Sequence, residues 1–312
     1  MRALAIDLGG THATCAVVEE TRILGSQVVT TDGAKGLQSV LPLFAKTFHA
    51  VAGQAGVSLK DCSGLAFSFC GLVDARTGKV VSTNQKYDDA PGLDLVAWSQ
   101  REFDLPLKIE NDARMALLGE WYAGAARGFD DVVMTTLGTG IGGAAMIGGK
   151  LLRGKHAQAG CLGGHLPVSF EGRTCTCGNI GCAEAEASGW ALPLVAKDMP
   201  GFAQSPLARE PQVNFEALFR LAAQGDPVAR TLRDRCLQVW AAGTTGLIHA
   251  YDPEVVVFGG GVMKSADIIV PFIQSYVEKH AWTPWGKVKV RAAELGNNAG
   301  LLGAVPLLAE KS

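Results

Sequence analysis

The chain has 312 residues, 48% apolar and 19% charged, with a formal net charge of −2. That length and composition predict a sizeable core split between two lobes. The near-neutral charge and the absence of a Lys/Arg run exclude an electrostatic footprint for nucleic acid or an anionic membrane, and no segment is long and apolar enough to span a bilayer. The eight cysteines are spread unevenly, unlike a disulfide framework, so a cytoplasmic location is expected.

In chain order, residues 2–8, 14–19 and 22–30 read as three short strands joined by turns. Leu37, Val40, Leu41, Phe44, Phe48 and Val51 recur at helical spacing, predicting a helix that starts near Gln38 and carries Pro42 in an early turn. Residues 64–70 form a buried-type strand, Asp94 caps a helix running to 102, residues 107–110 form a strand, and Asp112 opens an apolar helix over 113–125. The pattern then restarts. Residues 131–137, 142–147 and 150–152 again read as strands joined by glycine turns. A long helix over 228–249, a strand over 254–258, a helix over 266–278, a strand over 287–291 and a final helix over 299–308 follow. Alternating strands and helices argue for an α/β fold. The restart argues for a duplicated strand meander and a ligand-binding cleft between lobes, with the boundary near residue 112.

The segment from His165 to Cys182 concentrates one chemistry. Cys175, Cys177 and Cys182 fall within eight positions, with His165 just upstream. Three thiolates and an imidazole make a closed tetrahedral zinc shell, and Gly178 and Gly181 suit a loop folded tightly around an ion. A disulfide is the alternative, disfavoured because Cys175 and Cys177 are too close to pair. Glu184 follows two residues after the last cysteine, so the metal would fix a loop that touches a substrate.

Three glycine turns punctuate the strands. Asp7-Leu-Gly9-Gly10-Thr11-His12 offers backbone N–H groups and a hydroxyl to a phosphate, and Asp7 suits a magnesium ion held through water. Gly138-Thr139-Gly140 occupies the equivalent turn of the second half, so the pair can grip one polyphosphate. Gly259-Gly260-Gly261 follows a Val-rich strand, where a base or ribose can lie against backbone. The Asp7–His12 turn is not a Walker loop, since no Gly-Lys-Ser/Thr follows. Asn111-Asp112 joins a strand to a helix. On this segment alone Asp112 reads first as an N-cap, and a general base that deprotonates a substrate hydroxyl is the alternative.

Together and in this order, these segments resemble the ROK family of sugar kinases and sugar-responsive repressors, across essentially the whole chain. The resemblance implies a two-lobed actin/hexokinase/Hsp70-like (ribonuclease H-like) fold. Residues 1–112 would form a small lobe, with a C-terminal helix at about 298–312 packing back on it. Residues 113–297 would form the large lobe with the zinc loop. It implies ATP- and magnesium-dependent phosphotransfer to a hexose hydroxyl, usually the 6-hydroxyl, with Asp112 as the base. Asn84, Asn111, Asp112, His165 and Glu184 match sugar contacts. Asp7, Gly9, Gly10 and Thr11 match the first phosphate loop, Gly138, Thr139 and Gly140 the second, and Gly259, Gly260 and Gly261 the adenosine motif. His165, Cys175, Cys177 and Cys182 match the structural zinc signature. A homodimer acting on a small-molecule sugar and ATP is expected, without nucleic acid or membrane partners. The alternative is a non-catalytic sugar-binding pseudokinase or sensor; the repressors' helix-turn-helix would have to precede Asp7.

Three departures from the family pattern stand out. His12 occupies the position where the first phosphate loop often has Lys. Phe69-Cys70-Gly71 replaces the usual Pro segment. Gly160-Cys161-Leu162-Gly163-Gly164-His165 lacks the Glu of the family's Gly-Glu-x-Gly-His segment and gains a residue. Losing a charged partner there costs about 1.5–3 kcal/mol with a standard hexose. Either the substrate differs at that position, or a backbone group or water substitutes.

Overall fold

The computed structural model describes residues 1–83 and 85–310. The chain divides into two compact units, one comprising residues 1–128, 153–159 and Glu294 onward, the other residues 129–152 and 160–293.

In the first unit, β1 (Arg2–Leu8), β2 (His12–Glu19) and β3 (Arg22–Thr30) form an antiparallel meander. Ala3, Leu4, Ala5 and Ile6 are all fully buried, a continuous apolar run as expected of a strand covered on both faces. Helix α1 (Leu41–Gln54) follows, with Pro42 in its first turn, where a missing N–H leaves no intrahelical bond unmade. It starts three residues later than the spacing predicts. Strand β4 (Leu65–Phe69) then runs parallel to β1. The hairpin of β5 (Gly71–Asp74) and β6 (Lys79–Thr83) was not legible in the sequence, because its turn is polar and β6 is mostly exposed. Helix α2 (Leu95–Phe103) carries the expected Asp94 cap, whose side chain accepts from Ala97 N at 2.8 Å. Strand β7 (Leu107–Asn111) completes a sheet ordered β3-β2-β1-β4-β7 and leads into α3 (Asp112–Ala123).

The second unit repeats the plan. A meander of β8 (Val132–Leu137), β9 (Ile141–Ile147) and β10 (Lys150–Leu151) precedes helices α4 (Ala183–Ala187), α5 (Leu192–Lys197), α6 (Phe215–Ala223) and α7 (Pro227–Tyr251). Strand β11 (Val255–Gly259), helix α8 (Ala266–His280) and strand β12 (Lys289–Ala292) give the order β10-β9-β8-β11-β12. In both sheets the first meander strand also pairs in parallel with a later strand, which pairs in parallel with the next. The duplicated α/β architecture expected from the restart is therefore present.

The chain ends in α9 (Ala299–Leu302) and α10 (Ala304–Ala309), two short helices where one was predicted over 299–308. They belong to the first unit, and so does α3. A Cβ built on Gly119 of α3 would lie 2.0 Å from the Ala299 carbonyl oxygen, so α3 and α9 approach backbone to backbone. Glu120 seals the same contact by accepting from Leu295 N at 2.8 Å and Glu294 N at 3.1 Å. The pattern put the boundary near 112. The structure keeps α3 with the preceding sheet, because its partner lies at the far end of the chain.

Candidate active site

In the first unit the β1–β2 turn, the end of β7 and the start of α3 each contribute polar groups. The carbonyls of the turn are all engaged. Gly9 O accepts from Tyr87 Oη at 2.9 Å, Gly10 O from Gly33 N at 3.3 Å and Thr11 O from Thr31 N at 2.9 Å. The N–H groups of Gly10 and Thr11 donate to no backbone acceptor among the described residues. A turn whose acceptors are used and whose donors are spare is suited to an anion. Thr11 Oγ1 lies 2.9 Å from His12 Nδ1.

Asp7, at the end of β1, accepts from Ser68 Oγ at 2.7 Å through Oδ1. Desolvation pushes its carboxyl above the ordinary value, against the Ser68 hydrogen bond. Helix α9 backs it closely, since a Cβ on Gly300 would lie 2.9 Å from Asp7 Cγ.

The helix cap differs from expectation. Asn111, not Asp112, is the N-cap of α3: its Oδ1 accepts from Ala113 N at 3.1 Å and Arg114 N at 3.3 Å. Asp112 sits one position later, with Oδ1 accepting from Ala113 N at 2.8 Å and Asn111 Nδ2 at 2.9 Å. Asn111 Nδ2 also donates to Gly71 O at 3.0 Å. Asp112 Oδ2 has no hydrogen-bond partner among the described residues. Asp112 is thus freed from capping, and one oxygen is held while the other is open. Desolvation pushes its carboxyl up to about 6, with the nearby Asp7 charge adding and the two donated hydrogen bonds opposing. The residue keeps accessible surface, where water screens part of that penalty, so the upward direction is what bears on reactivity.

A buried ion cluster underlies the β7–α3 junction. Glu110 accepts from Arg114 Nη1 at 3.3 Å and Arg153 Nε at 2.6 Å, and Asn111 N donates to Glu110 Oε1 at 2.9 Å. Arg153 also pairs with Glu310 at 2.7 Å. The expected sugar contact Asn84 lies outside the described residues.

In the second unit the Gly138-Thr139-Gly140 turn repeats the logic of the first. Gly138 O and Thr139 O accept from Gly189 N and Trp190 N, both at 2.9 Å, while the N–H groups of Thr139 and Gly140 meet no backbone acceptor among the described residues. Glu184, in the first turn of α4, accepts from Ile141 N at 2.8 Å and Trp190 Nε1 at 3.3 Å. The residue predicted to meet a sugar is therefore also the brace of this turn. Gly260, at φ +92°, closes on it too, for a Cβ there would lie 2.3 Å from Leu137 O. Gly259, the last residue of β11, and Gly261 flank it.

His165, Cys175, Cys177 and Cys182 come together with their donor atoms within 4.8 Å of one another. All eight cysteines are free. The Cys177 and Cys182 sulfurs are 3.7 Å apart, and Cys175 Sγ is 3.5 Å from His165 Nδ1. A tetrahedral zinc with ordinary bond lengths separates two sulfurs by about 3.8 Å and a sulfur from a nitrogen by about 3.6 Å. The donor set and spacing fit zinc, and the sulfurs are too far apart for a disulfide.

Sequence reasoning missed Ser68, Tyr87, Lys86 and Trp190. Ser68 sits inside a strand that the sequence did show, the others in segments with no motif of their own, and each becomes visible only through what it touches.

A doubled sheet of this topology, with a phosphate-type turn after the first strand of each copy, defines the actin/hexokinase-like class. The ROK family model matches residues 3–311, and the chain belongs to the ROK family. The glucokinase of Thermotoga maritima is 30% identical over 320 residues, covering 100% of this chain and 98% of that protein. Among solved structures, a ROK hexokinase from Thermus thermophilus has a TM-score of 0.81 at 32% identity, covering 98% of this chain and 97% of that one. A ROK family glucokinase from Streptomyces griseus, in complex with glucose and AMPPNP, has a TM-score of 0.79 at 30% identity, covering 98% and 99%.

Proposed function

We propose that this chain is a sugar kinase that transfers the γ-phosphoryl group of ATP to a hexose hydroxyl, the 6-hydroxyl, with Asp112 as general base. The observation that carries the reading lies within one unit. A turn with spare amides at Gly10 and Thr11 accompanies a carboxylate, Asp112, with one oxygen fixed and the other free.

The acceptor hydroxyl gives its proton to Asp112 Oδ2 as its oxygen bonds to the γ-phosphorus. The bond to the β–γ bridging oxygen breaks and ADP leaves. Phosphoryl transfer asks mainly for positioning and charge neutralisation, so a carboxylate held by two donors and amides poised for phosphate oxygens suffice as protein parts. Asn111 holds Asp112 in place; with both amide hydrogens given to Asp112 Oδ1 and Gly71 O, it serves the sugar by positioning the base. Asp7, whose Oδ2 is left over from the Ser68 bond, would hold magnesium through water, and that ion would neutralise charge on the phosphates. The Gly138–Gly140 turn would take further phosphate oxygens and Gly259–Gly261 the adenosine.

His165, Cys175, Cys177 and Cys182 would hold zinc, which would tie the loop ends together. Because His165 Nδ1 faces the thiols, Nε2 is the nitrogen left to meet a sugar hydroxyl. Glu184 joins it in sugar contact, as does Asn84. On the resemblance alone, the protein acts as a cytoplasmic homodimer, which light scattering at micromolar concentration checks.

The test is coupled ADP release across a hexose panel with magnesium- and zinc-replete protein. Sugar-stimulated turnover is expected. Tight sugar binding by calorimetry without turnover would replace the reading with a sugar sensor of the same family.

A further inference from the structure

The segment after β6 is pinned to the first phosphate turn. Tyr87 is fully buried, donates through Oη to Gly9 O at 2.9 Å and lies 2.7 Å from the Thr31 hydroxyl, while its N–H donates to Gly33 O at 2.7 Å. Gln85 and Tyr87 both have φ of +59°, a conformation that L side chains adopt only when the surroundings impose it. The residue between them is Lys86.

The stem of Lys86 runs where two glycines leave room for it. A Cβ on Gly10 would lie 2.6 Å from Lys86 Nζ, 2.8 Å from Cε and 2.9 Å from Cδ. A Cβ on Gly33 would lie 3.0 Å from Lys86 Cβ. The ammonium is therefore laid against the backbone of the turn whose Gly10 and Thr11 amides are spare.

Its charge is not neutralised locally, since Lys86 forms no ion pair among the described residues. The carboxylates of its own segment and of the Gly33 turn are engaged elsewhere. Asp88 accepts from Thr83 Oγ1, Asp89 from Leu37 N and Gln38 N, and Asp32 from Ala34 N while facing Lys35. A second observation locates the charge. The Cys70 thiol is pushed up to about 11, by burial first and then by the Asp112 and Asp7 charges, with Lys86 opposing, so all three charges lie near one thiol.

We propose that Lys86 contacts the phosphate bound at the Asp7–His12 turn and neutralises its charge, in place of a cation on the turn itself. The turn offers no lysine, and His12 Nδ1 is engaged with Thr11 Oγ1. A compact ammonium on a flexible stem suits this task, as a point charge against phosphate oxygens. The inference rests on the reading of that turn as a phosphate site.

Lys86→Met and Lys86→Arg decide it, using magnesium tripolyphosphate titrations by calorimetry alongside sugar-dependent ADP release. Lys86→Met is expected to weaken tripolyphosphate roughly 10-fold and to lower kcat roughly 10- to 100-fold, with the KM for sugar changed less than about threefold. Its tripolyphosphate affinity should fall less steeply with added salt than that of the unaltered protein, a signature that a merely structural lysine would not give. Lys86→Arg should restore most of both quantities. Unaltered affinity in Lys86→Met, or a loss that follows a lowered melting temperature and is not rescued by arginine, overturns the proposal. So does unaltered protein that binds no tripolyphosphate. Weakened tripolyphosphate binding in Lys86→Met, with unaltered protein that phosphorylates no sugar, upholds Lys86 and sinks the kinase reading instead.

Discussion

Asp112 is the residue proposed as general base, and its environment makes a pH prediction. A general base works ionised, so activity should fall as pH drops through the apparent pKa of a carboxyl pushed up to about 6. A kcat/KM profile with its acid limb above the ordinary carboxylate range, at or below about pH 6, is expected; a limb near pH 4 would mean that another group sets it. Asp112→Asn should lower kcat by roughly 10²- to 10⁴-fold while calorimetry still detects sugar. The same shift has a stability consequence of definite sign. Folding raises this carboxyl above its unfolded value, so the fold disfavours the ionised form. The penalty is full above about pH 6 and absent below about pH 4. Asp112→Asn should therefore melt at or above the unaltered protein at pH 8, with the gap closing towards pH 4. Calorimetric scans in which the variant is less stable at pH 8 would contradict the assigned environment. The Asn111–Asp112 pair was legible as a strand-to-helix junction. Which member capped the helix was not, because both are good caps and the choice depends on Gly71 O, which holds Asn111 Nδ2 from another strand.

At the scale of an element, the His165–Cys182 cluster was the most legible part of the chain. Its ligands are close in sequence, and a metal accepts only a few side chains, so spacing alone nearly determines the cluster. The brace beside it was illegible. Glu184 reaches Ile141 N, and nothing in the local pattern of either segment announces the other. Two glycines in the loop separate backbone strain from packing. Gly178, at φ +89°, has open space where a Cβ would go, so Gly178→Ala should cost only the left-handed conformation, about 1 kcal/mol. Gly181, at φ +68°, would place a Cβ 1.6 Å from Ser169 O, and its N–H donates to Arg173 O at 2.8 Å. Gly181→Ala should cost more than Gly178→Ala by about 2 kcal/mol and release metal, read by denaturant midpoint and zinc content. Equal costs would refute this account of the loop. Cys175→Ser should likewise lose the ion and destabilise by on the order of 3 kcal/mol, with the KM for sugar rising more than that for ATP.

For the whole molecule, the repeated sheet was readable because β1, β4, β8 and β11 are apolar almost throughout, as buried strands must be. The division of the chain was not readable, because membership of α3 is decided by a partner at the opposite terminus. That partner gives a prediction for the two units separately. Helix α9 packs on α3, and α10 on α3, β1 and β4. Lys108 Nζ, on β7, donates to Leu307 O at 3.1 Å and Glu310 O at 2.6 Å. Removing residues from Glu294 onward would expose buried Leu301, Leu302, Val305 and Leu307 positions on the partner surfaces and strip Glu120 of two donors. Unfilled apolar surface and a buried carboxylate that keeps Ala125 N but loses two other donors are both substantial losses for a fold. The second unit has its own core, from Val133 through Trp240 to Val290. Hydrogen exchange of the truncated chain should show β1, β4 and β7 amides deprotected while β8, β9 and β11 stay slow. Equal loss in both sheets, or protection of β1 as in the full chain, would show that the terminal helices do not serve the first unit in this way.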